Sequence, residues 1–463
     1  MRKASLAAWV AMSLTVAVAA PFKDGDVVVF FGDSITHGGL YHEYITDFYR
    51  TRFPDAKIRF VNSGIGGDTA KGAYCRLPED IAEYNPTHVA IHFGMNDIGR
   101  CFYSDDSSDA SLVNREEYQR NYRDSLVKLI DGVKRSAPNA KLTYLTPTPY
   151  DDVSIVTNMP ADASEWARHN QVGCNCGLSL MAGFVIERAK QDKVDYVNWY
   201  SLLNGFMARE HAKDPYFMIT AYDRVHPREV GHSIMAWEYL RRQGVPATVS
   251  DVAVDAAKGE VVKSDNAEVS ELKCKDGEVE FVMLAKALPF PVHPKALPYV
   301  GEFDVEKKLN REVLTVSGLA DGEYALRIDG IEVGRYSHHQ FAEGVHLGFN
   351  TKTPQYGQSQ RVQARNEELR AREATFRVHH SARWAFFDKA PVDDVNAFKA
   401  WYDEDIKKGG KLANSYFGRF IPGYLKYWPT YRESRSELWK DQDAVRSMAK
   451  PLPRRYVIRK LGK

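Results

Sequence analysis

The sequence predicts an α/β domain built on a parallel sheet, followed by a small antiparallel β module and a helical C-terminal region. Three observations carry that expectation. Short continuous apolar runs alternate with helix-length stretches from Asp26 to about Gly244, the pattern of strands buried on both faces and joined by helices. The alternation stops after Val245-Pro246, where β-rich runs punctuated by turn dipeptides take over. From about Thr353 onward the pattern becomes helical and charged.

In chain order, Val27–Phe31 reads as the first strand and Tyr41–Phe53 as a helix behind it. Ile58–Val61, His88–Phe93, Lys141–Leu145 and Val194–Trp199 are the next strands. Between them lie the stretch Lys71–Tyr84, the long amphipathic Arg115–Arg135 and the helical Trp166–Gln191. Proline suits a first helical position, so Pro227 marks the start of a last helix, Arg228–Leu240. These elements delimit a first domain over residues 24–245. Glu278–Leu284, Val313–Val316 and Glu323–Ile328, with turns at Lys275-Asp276-Gly277, Asp321-Gly322 and Asp329-Gly330, define the antiparallel module over 250–345. Residues 346–463 form the helical extension, with Gln355–Arg370 and Val395–Lys407 its clearest helices. The basic run Arg454–Lys460 reads as a solvated end.

A chain of 463 residues with 44% hydrophobic and 27% charged residues is globular, not disordered. A formal charge of +1 gives no electrostatic footprint for nucleic acid. Residues 1–20 read as an export signal: Arg2 and Lys3, an apolar run from Ala4 to Ala20, and the small-residue site Ala17-Val18-Ala19. A membrane anchor is the competing reading; the run is short for a span and contains Ser5 and Ser13. Export to the periplasm or medium would permit disulfides, yet five cysteines are few and odd in number. Cys75 and Cys101 fall in loops beside the motifs described next, where a bridge and two free thiols are both open readings.

Four short segments at or near strand ends carry the chemistry: Gly32-Asp33-Ser34, Gly66-Gly67-Asp68-Thr69, Gly94-Met95-Asn96-Asp97 and Asp223-Arg224-Val225-His226. In open parallel sheets ligands bind at the carboxyl ends of the strands. Acyl transfer needs a nucleophile, a base, a group orienting that base, and donors for the developing oxyanion. Ser34, His226 and Asp223 suit the first three roles; the Ser34 and Gly67 amides with the Asn96 side chain suit the last. Taken singly, each has a structural reading: a capping serine, a tight glycine turn, a turn asparagine, a capping aspartate. Asp33, His37, Asp68 and Asp97 flank these groups and are candidates for substrate binding. His226, Glu229 and His232 are a candidate metal set, but they lack the His-Glu-x-x-His spacing.

These four blocks resemble those of the SGNH (GDSL-type) hydrolase superfamily over about residues 26–244. The resemblance implies a three-layer α/β/α flavodoxin-like domain and ester hydrolysis without metal or other cofactor. It also implies an oxyanion hole from the Ser34 amide, the Gly67 amide and the Asn96 side chain. The first functional expectation is an exported serine esterase, most plausibly acting on acetyl esters of carbohydrate, with a small-molecule or polysaccharide ester as its partner. A GDSL-type lipase or lysophospholipase, and a non-catalytic binding protein on the same scaffold, are the alternatives. The polar flanks Thr36–Gly39 and Tyr150–Asp152 favour a short acyl group.

Overall fold

The computed structural model describes residues 21–103, 109–163, 165–275 and 277–462. The leader expected at 1–20 lies outside the described residues. Strands β1 (Val27–Gly32), β2 (Arg59–Gly64), β3 (His88–His92), β4 (Lys141–Leu145) and β5 (Asp195–Val197) form one sheet in the order β2-β1-β3-β4-β5. Every neighbouring pair in it is parallel. Alternate residues of one strand serve opposite cores, as period-two geometry requires. Val28 and Phe30 join Phe48, Trp199, Ile234 and Leu240 on one face. Val29 and Phe31 join Ile91, Leu129 and Met181 on the other. The result is the expected α/β/α sandwich. Strand order reverses beside β1, so the loops after β1, β2 and β3 open at the switch point where this architecture leaves a crevice.

Two of the connecting stretches are broken, each for a local reason. The stretch from Lys71 to Tyr84 is a chain of short α and 3₁₀ turns, with Pro78 at the start of the segment Leu77–Asp80. The region expected as Trp166–Gln191 divides into Glu165–Arg168 and Cys174–Asp192, separated at Gly173, whose φ of 85° is left-handed.

Beyond Val245 the chain builds two further sheets. The first runs β13-β10-β6-β7, from β6 (Thr248–Asp255), β7 (Glu260–Asp265), β10 (Arg311–Ser317) and β13 (Val345–His346). The second runs β12-β11-β14-β9-β8, from β8 (Ala267–Lys275), β9 (Glu278–Ala285), β11 (Glu323–Ile328), β12 (Ile331–Ser337) and β14 (Arg454–Lys460). Val252, Val254, Leu314 and Val316 of the first meet Phe281, Leu326, Ile328 and Ile458 of the second in one core. Two expectations are corrected here. The module is not purely antiparallel, because β6 and β10 pair in parallel. The basic run at the C-terminus is no solvated end: β14 is the middle strand of its sheet, between β9 and β11. Alternation explains the error. Tyr456 and Ile458 are fully buried on one face, while Arg455 and Arg459 on the other pair with Glu271, Glu280 and Glu278.

The helical region between these strands packs on the first domain. Helix Pro354–Arg377 lies against helices Leu40–Arg52 and Tyr431–Ala449. Arg383 pairs with Glu79 at 2.9 Å, Arg435 with Glu83 at 2.8 Å, and the hydroxyls of Tyr84 and Tyr431 meet at 3.0 Å. The chain thus returns to its first domain before closing the last sheet, so a boundary at residue 346 does not follow the packing.

Candidate active site

Ser34 begins a one-turn helix at the end of β1, and the Asp33 carboxylate caps that turn by accepting from the Ile35 amide at 2.9 Å. The Ser34 Oγ lies 2.7 Å from Nε2 of His226. Nδ1 of His226 lies 2.5 Å from Oδ2 of Asp223. The other oxygen, Oδ1, accepts from the amides of Val225 at 3.0 Å and His226 at 3.1 Å, so Asp223 is fixed by the turn it also serves. Burial works to raise the Asp223 pKa, but the hydrogen bond and charge of His226 outweigh it and hold the carboxyl below its usual range. An ionised Asp223 keeps the proton on Nδ1 and leaves Nε2 free to accept from the serine.

The histidine loop is tightly closed. His226 O accepts from the Ala221 amide at 2.7 Å, and the Arg228 amide donates to Ile219 O at 2.7 Å. Arg224 sits at a φ of 64°, and its guanidinium donates to the carbonyls of Asp151 and Ser154 at 2.9 Å each. Sequence reasoning missed Arg224, since nothing in its spacing distinguishes it from a surface arginine.

The glycine turn reaches Ser34 directly: a Cβ on Gly66 would stand 4.0 Å from Ser34 Cβ. Gly67, exposed and at a φ of 84°, requires the left-handed backbone glycine allows. The Gly66 amide donates to Nδ1 of His37 at 3.1 Å, and the Asn96 amide nitrogen donates to Asp68 O at 2.8 Å. The loops after β1, β2 and β3 are therefore stitched together around Ser34.

The four residues expected to touch substrate have other work. Asp33, Asp68 and Asp97 are buried in the floor of the site. Asp33 caps the serine turn, Asp68 pairs with Arg76 at 2.7 Å, and Asp97 accepts from the Ala70 amide at 2.9 Å. His37 supports the glycine turn, and burial pushes its pKa down to about 4, so it stays neutral. Tyr150 and Asp151 are also buried, as is Thr36, so the flanking polarity does not describe a pocket wall. Polar residues this close to a switch point serve the loops before they serve a ligand.

Beneath the loops lies a charge network that no motif announced. Arg76 donates to Asp68, to Asp80, and to the carbonyls of Ser63 at 2.7 Å and Gly32 at 3.0 Å. Arg377, from the C-terminal region, donates to Asp80 at 2.6 and 2.8 Å and to Gly64 O at 3.3 Å. All four charged residues are nearly inaccessible. Burial alone would raise Asp80, but Arg377 and Arg76 outweigh it and hold the carboxyl well below the usual carboxylate range. The i,i+4 spacing of Arg76 and Asp80 was a legible hint; Arg377 left none.

The candidate metal set does not assemble. His226 uses its two ring nitrogens on Ser34 and Asp223, Glu229 pairs with Lys295 at 2.9 Å, and His232 is buried and stacked on Tyr41. Cys75 and Cys101 are free thiols, so the bridge between their loops is not formed; the Cys75 sulfur faces the Lys71 carbonyl one turn back. A cleft of about 670 Å³ lined by Phe53–Ala56 on one side and by Thr248, Asn266 and Lys286 on the other contains none of the motif residues.

A serine hydroxyl, a histidine and a carboxylate in one hydrogen-bonded line, at the switch point of a flavodoxin-ordered sheet, form the arrangement that acyl transfer by a serine requires. Residues 30–234 match the GDSL-like lipase/acylhydrolase family. An acetylxylan esterase of Geobacillus stearothermophilus is 26% identical over 235 residues, spanning 48% of this chain and 94% of that protein. The solved structure of a gut microbial diltiazem-metabolizing enzyme is 28% identical, with a TM-score of 0.82 over 96% of this chain and 100% of the other. Through its first domain the chain belongs to the SGNH (GDSL-type) superfamily and is an ester-hydrolysing enzyme. The likeness to the second protein includes the β and helical regions, so the whole architecture recurs.

Asp97 gives a pH-dependent prediction. Burial, with the neighbouring charges of Asp68 and Asp33, pushes its pKa up to about 8 against the stabilising Ala70 amide. The unfolded carboxyl titrates near about 3.9. Between those values the folded state holds the proton that the unfolded state has released, so stability falls as pH rises across that window. Asp97→Asn keeps the acceptor for Ala70 and removes the titration. Its melting temperature should fall less than the parent's between pH 5 and 9; identical slopes in thermal unfolding would contradict this.

Proposed function

We propose that this protein is a serine esterase that works through an acyl-enzyme, with Ser34 as nucleophile, His226 as general base and acid, and Asp223 as its orienting partner. The observation that carries the reading is the unbroken line from Ser34 Oγ through His226 to Asp223, at 2.7 and 2.5 Å. In the first half-reaction His226 Nε2 takes the serine proton while Oγ adds to the ester carbonyl. The Ser34 and Gly67 amides and the Asn96 side chain are assigned to the developing oxyanion. Collapse of the adduct expels the alcohol, which receives its proton from His226. Water then attacks the acyl-enzyme by the same path in reverse, releasing the acid and free Ser34.

Ser34→Ala or His226→Ala should lower turnover of 4-nitrophenyl acetate by several decades without changing the fold. Asn96→Ala should lower kcat by about a hundredfold with KM little changed. Retention of parental turnover in Ser34→Ala would overturn the assignment.

The preferred acyl group is proposed to be short, acetate above all, on a hydroxyl-rich or otherwise polar alcohol such as a carbohydrate. The support is the acetylxylan esterase relative, since the flanking polarity that suggested it is turned inward. Each methylene left unburied forfeits about 0.8 kcal/mol. In a series of nitrophenyl esters, kcat/KM should fall steeply from acetate to octanoate, and acetate should be released from an acetylated polysaccharide. Faster hydrolysis of octanoate would select the lipase reading instead.

Export is likewise proposed, on the basic, apolar and small-residue pattern of residues 1–20. The mature protein, recovered outside the cytoplasm, should begin within a few residues of Ala20 by mass spectrometry; an intact Met1 terminus on membrane-bound protein would point to the anchor.

A further inference from the structure

The C-terminal region supplies more than a support for the first domain. Its segment between residues 409 and 420 reaches the glycine turn, where a Cβ on Gly67 would lie 3.2 Å from Cζ and 3.8 Å from Cε1 of Phe417. Gly67 bears one of the assigned oxyanion amides, so any ester seated there lies within a few ångströms of this ring. Phe417 is not isolated. The Trp384 indole meets it edge-to-face at 5.1 Å and Tyr416 does so at 5.0 Å. Trp384 Nε1 crowds the space a Cβ on Gly72 would need, beside Asp68 Oδ1. Tyr416 is 63% exposed, with the Arg419 guanidinium 4.0 Å over its ring.

The segment that presents these rings is held in shape. Asp405 accepts from the amides of Leu412 at 3.1 Å and Ala413 at 2.8 Å. The Ser415 hydroxyl donates to Leu412 O at 2.6 Å and accepts from the Gly418 amide at 3.1 Å. Gly418 packs so closely on Leu412 O and Ala413 O that no side chain fits there. On the opposite flank Arg370 donates to Gly38 O at 3.1 Å, so the same region borders the serine turn as well.

We propose that Phe417, with Tyr416 and Trp384, forms an aromatic subsite beside the oxyanion turn that binds a ring with an apolar face in the alcohol part of the ester. Aryl rings and the C–H face of a pyranose share that chemistry. The assignment to the alcohol rests on the short-acyl esterase reading, because an acetyl group carries no ring to lay against these side chains. Such a subsite confers specificity by contact with the substrate and takes no part in proton transfer.

The test compares the full chain with Phe417→Ala, Phe417→Leu and Tyr416→Ala on three acetates: ethyl acetate, 2-naphthyl acetate and an acetylated methyl xyloside. Thermal unfolding verifies that each variant is folded, and Tyr416, being exposed, is the change least able to disturb the core. The alanine variants should raise KM about three- to tenfold on a ring-bearing ester while kcat/KM on ethyl acetate stays within about twofold. Loss on the naphthyl ester alone identifies an aryl site, and loss on the xyloside alone a sugar site. An equal loss on all three esters would reduce Phe417 to a prop for Gly67 and overturn the proposal, as would no loss on either ring-bearing ester. Titration of 2-naphthyl acetate into the Ser34→Ala protein gives a readout without turnover: the Phe417→Ala change should weaken binding by a similar factor, and unchanged binding would also overturn the subsite. Absence of hydrolysis of all three esters by the parent protein would instead defeat the esterase reading itself.

Discussion

The site depends on a buried exchange of charge between Arg76, Asp68, Asp80 and Arg377. Two guanidiniums face two carboxylates in a volume closed to water. Such groups are tolerated only because each meets the others in good geometry; removing one partner of a buried pair costs about 3–5 kcal/mol. What the arrangement gives in return is position. Arg76 holds the carbonyls of Gly32 and Ser63 at the ends of β1 and β2, and it holds Asp68, whose own carbonyl accepts from Asn96. The three loops that carry Ser34, Gly67 and Asn96 are thereby referred to one arginine. Catalytic groups must be held to a fraction of an ångström to be useful, and loops alone rarely supply that.

The same network explains why the helical region is part of the enzyme unit. Arg377 enters it from helix Pro354–Arg377 and reaches both Asp80 and the last carbonyl of β2. The chain then returns to place β14 between β9 and β11. A region anchored at one end under the glycine turn and at the other end within a β-sheet cannot be lifted away as an appendage. The likeness of the full chain to the diltiazem-metabolizing enzyme, at a TM-score of 0.82, fits an arrangement in which the parts fold and work together.

The first domain was legible because its strands are buried on both faces and so print continuous apolar runs, as in Val27–Phe31. Ser34, Asp223 and His226 were legible as blocks whose residue types fit one chemistry, and the structure brings the three side chains together. Asp33, Asp68 and Asp97 were misread, because a polar side chain next to a reactive one looks alike whether it faces substrate or the protein interior. Residues 454–460 were misread because alternating arginines with Tyr456 and Ile458 resemble a charged tail unless partner strands are known. Arg377 and Phe417 could not have been found: their partners Asp80 and Gly67 lie 297 and 350 residues away, and only tertiary structure joins them.

The central claim is that Ser34, held by this network against His226, is the residue that takes the acyl group. Covalent labelling with an activated phosphonate ester, followed by peptide mass spectrometry, examines that most directly, because the reagent records which hydroxyl is nucleophilic. The account predicts a single adduct, on the peptide containing Ser34, that disappears in His226→Ala. Labelling of another residue, or none at all in a preparation that still hydrolyses esters, would contradict it.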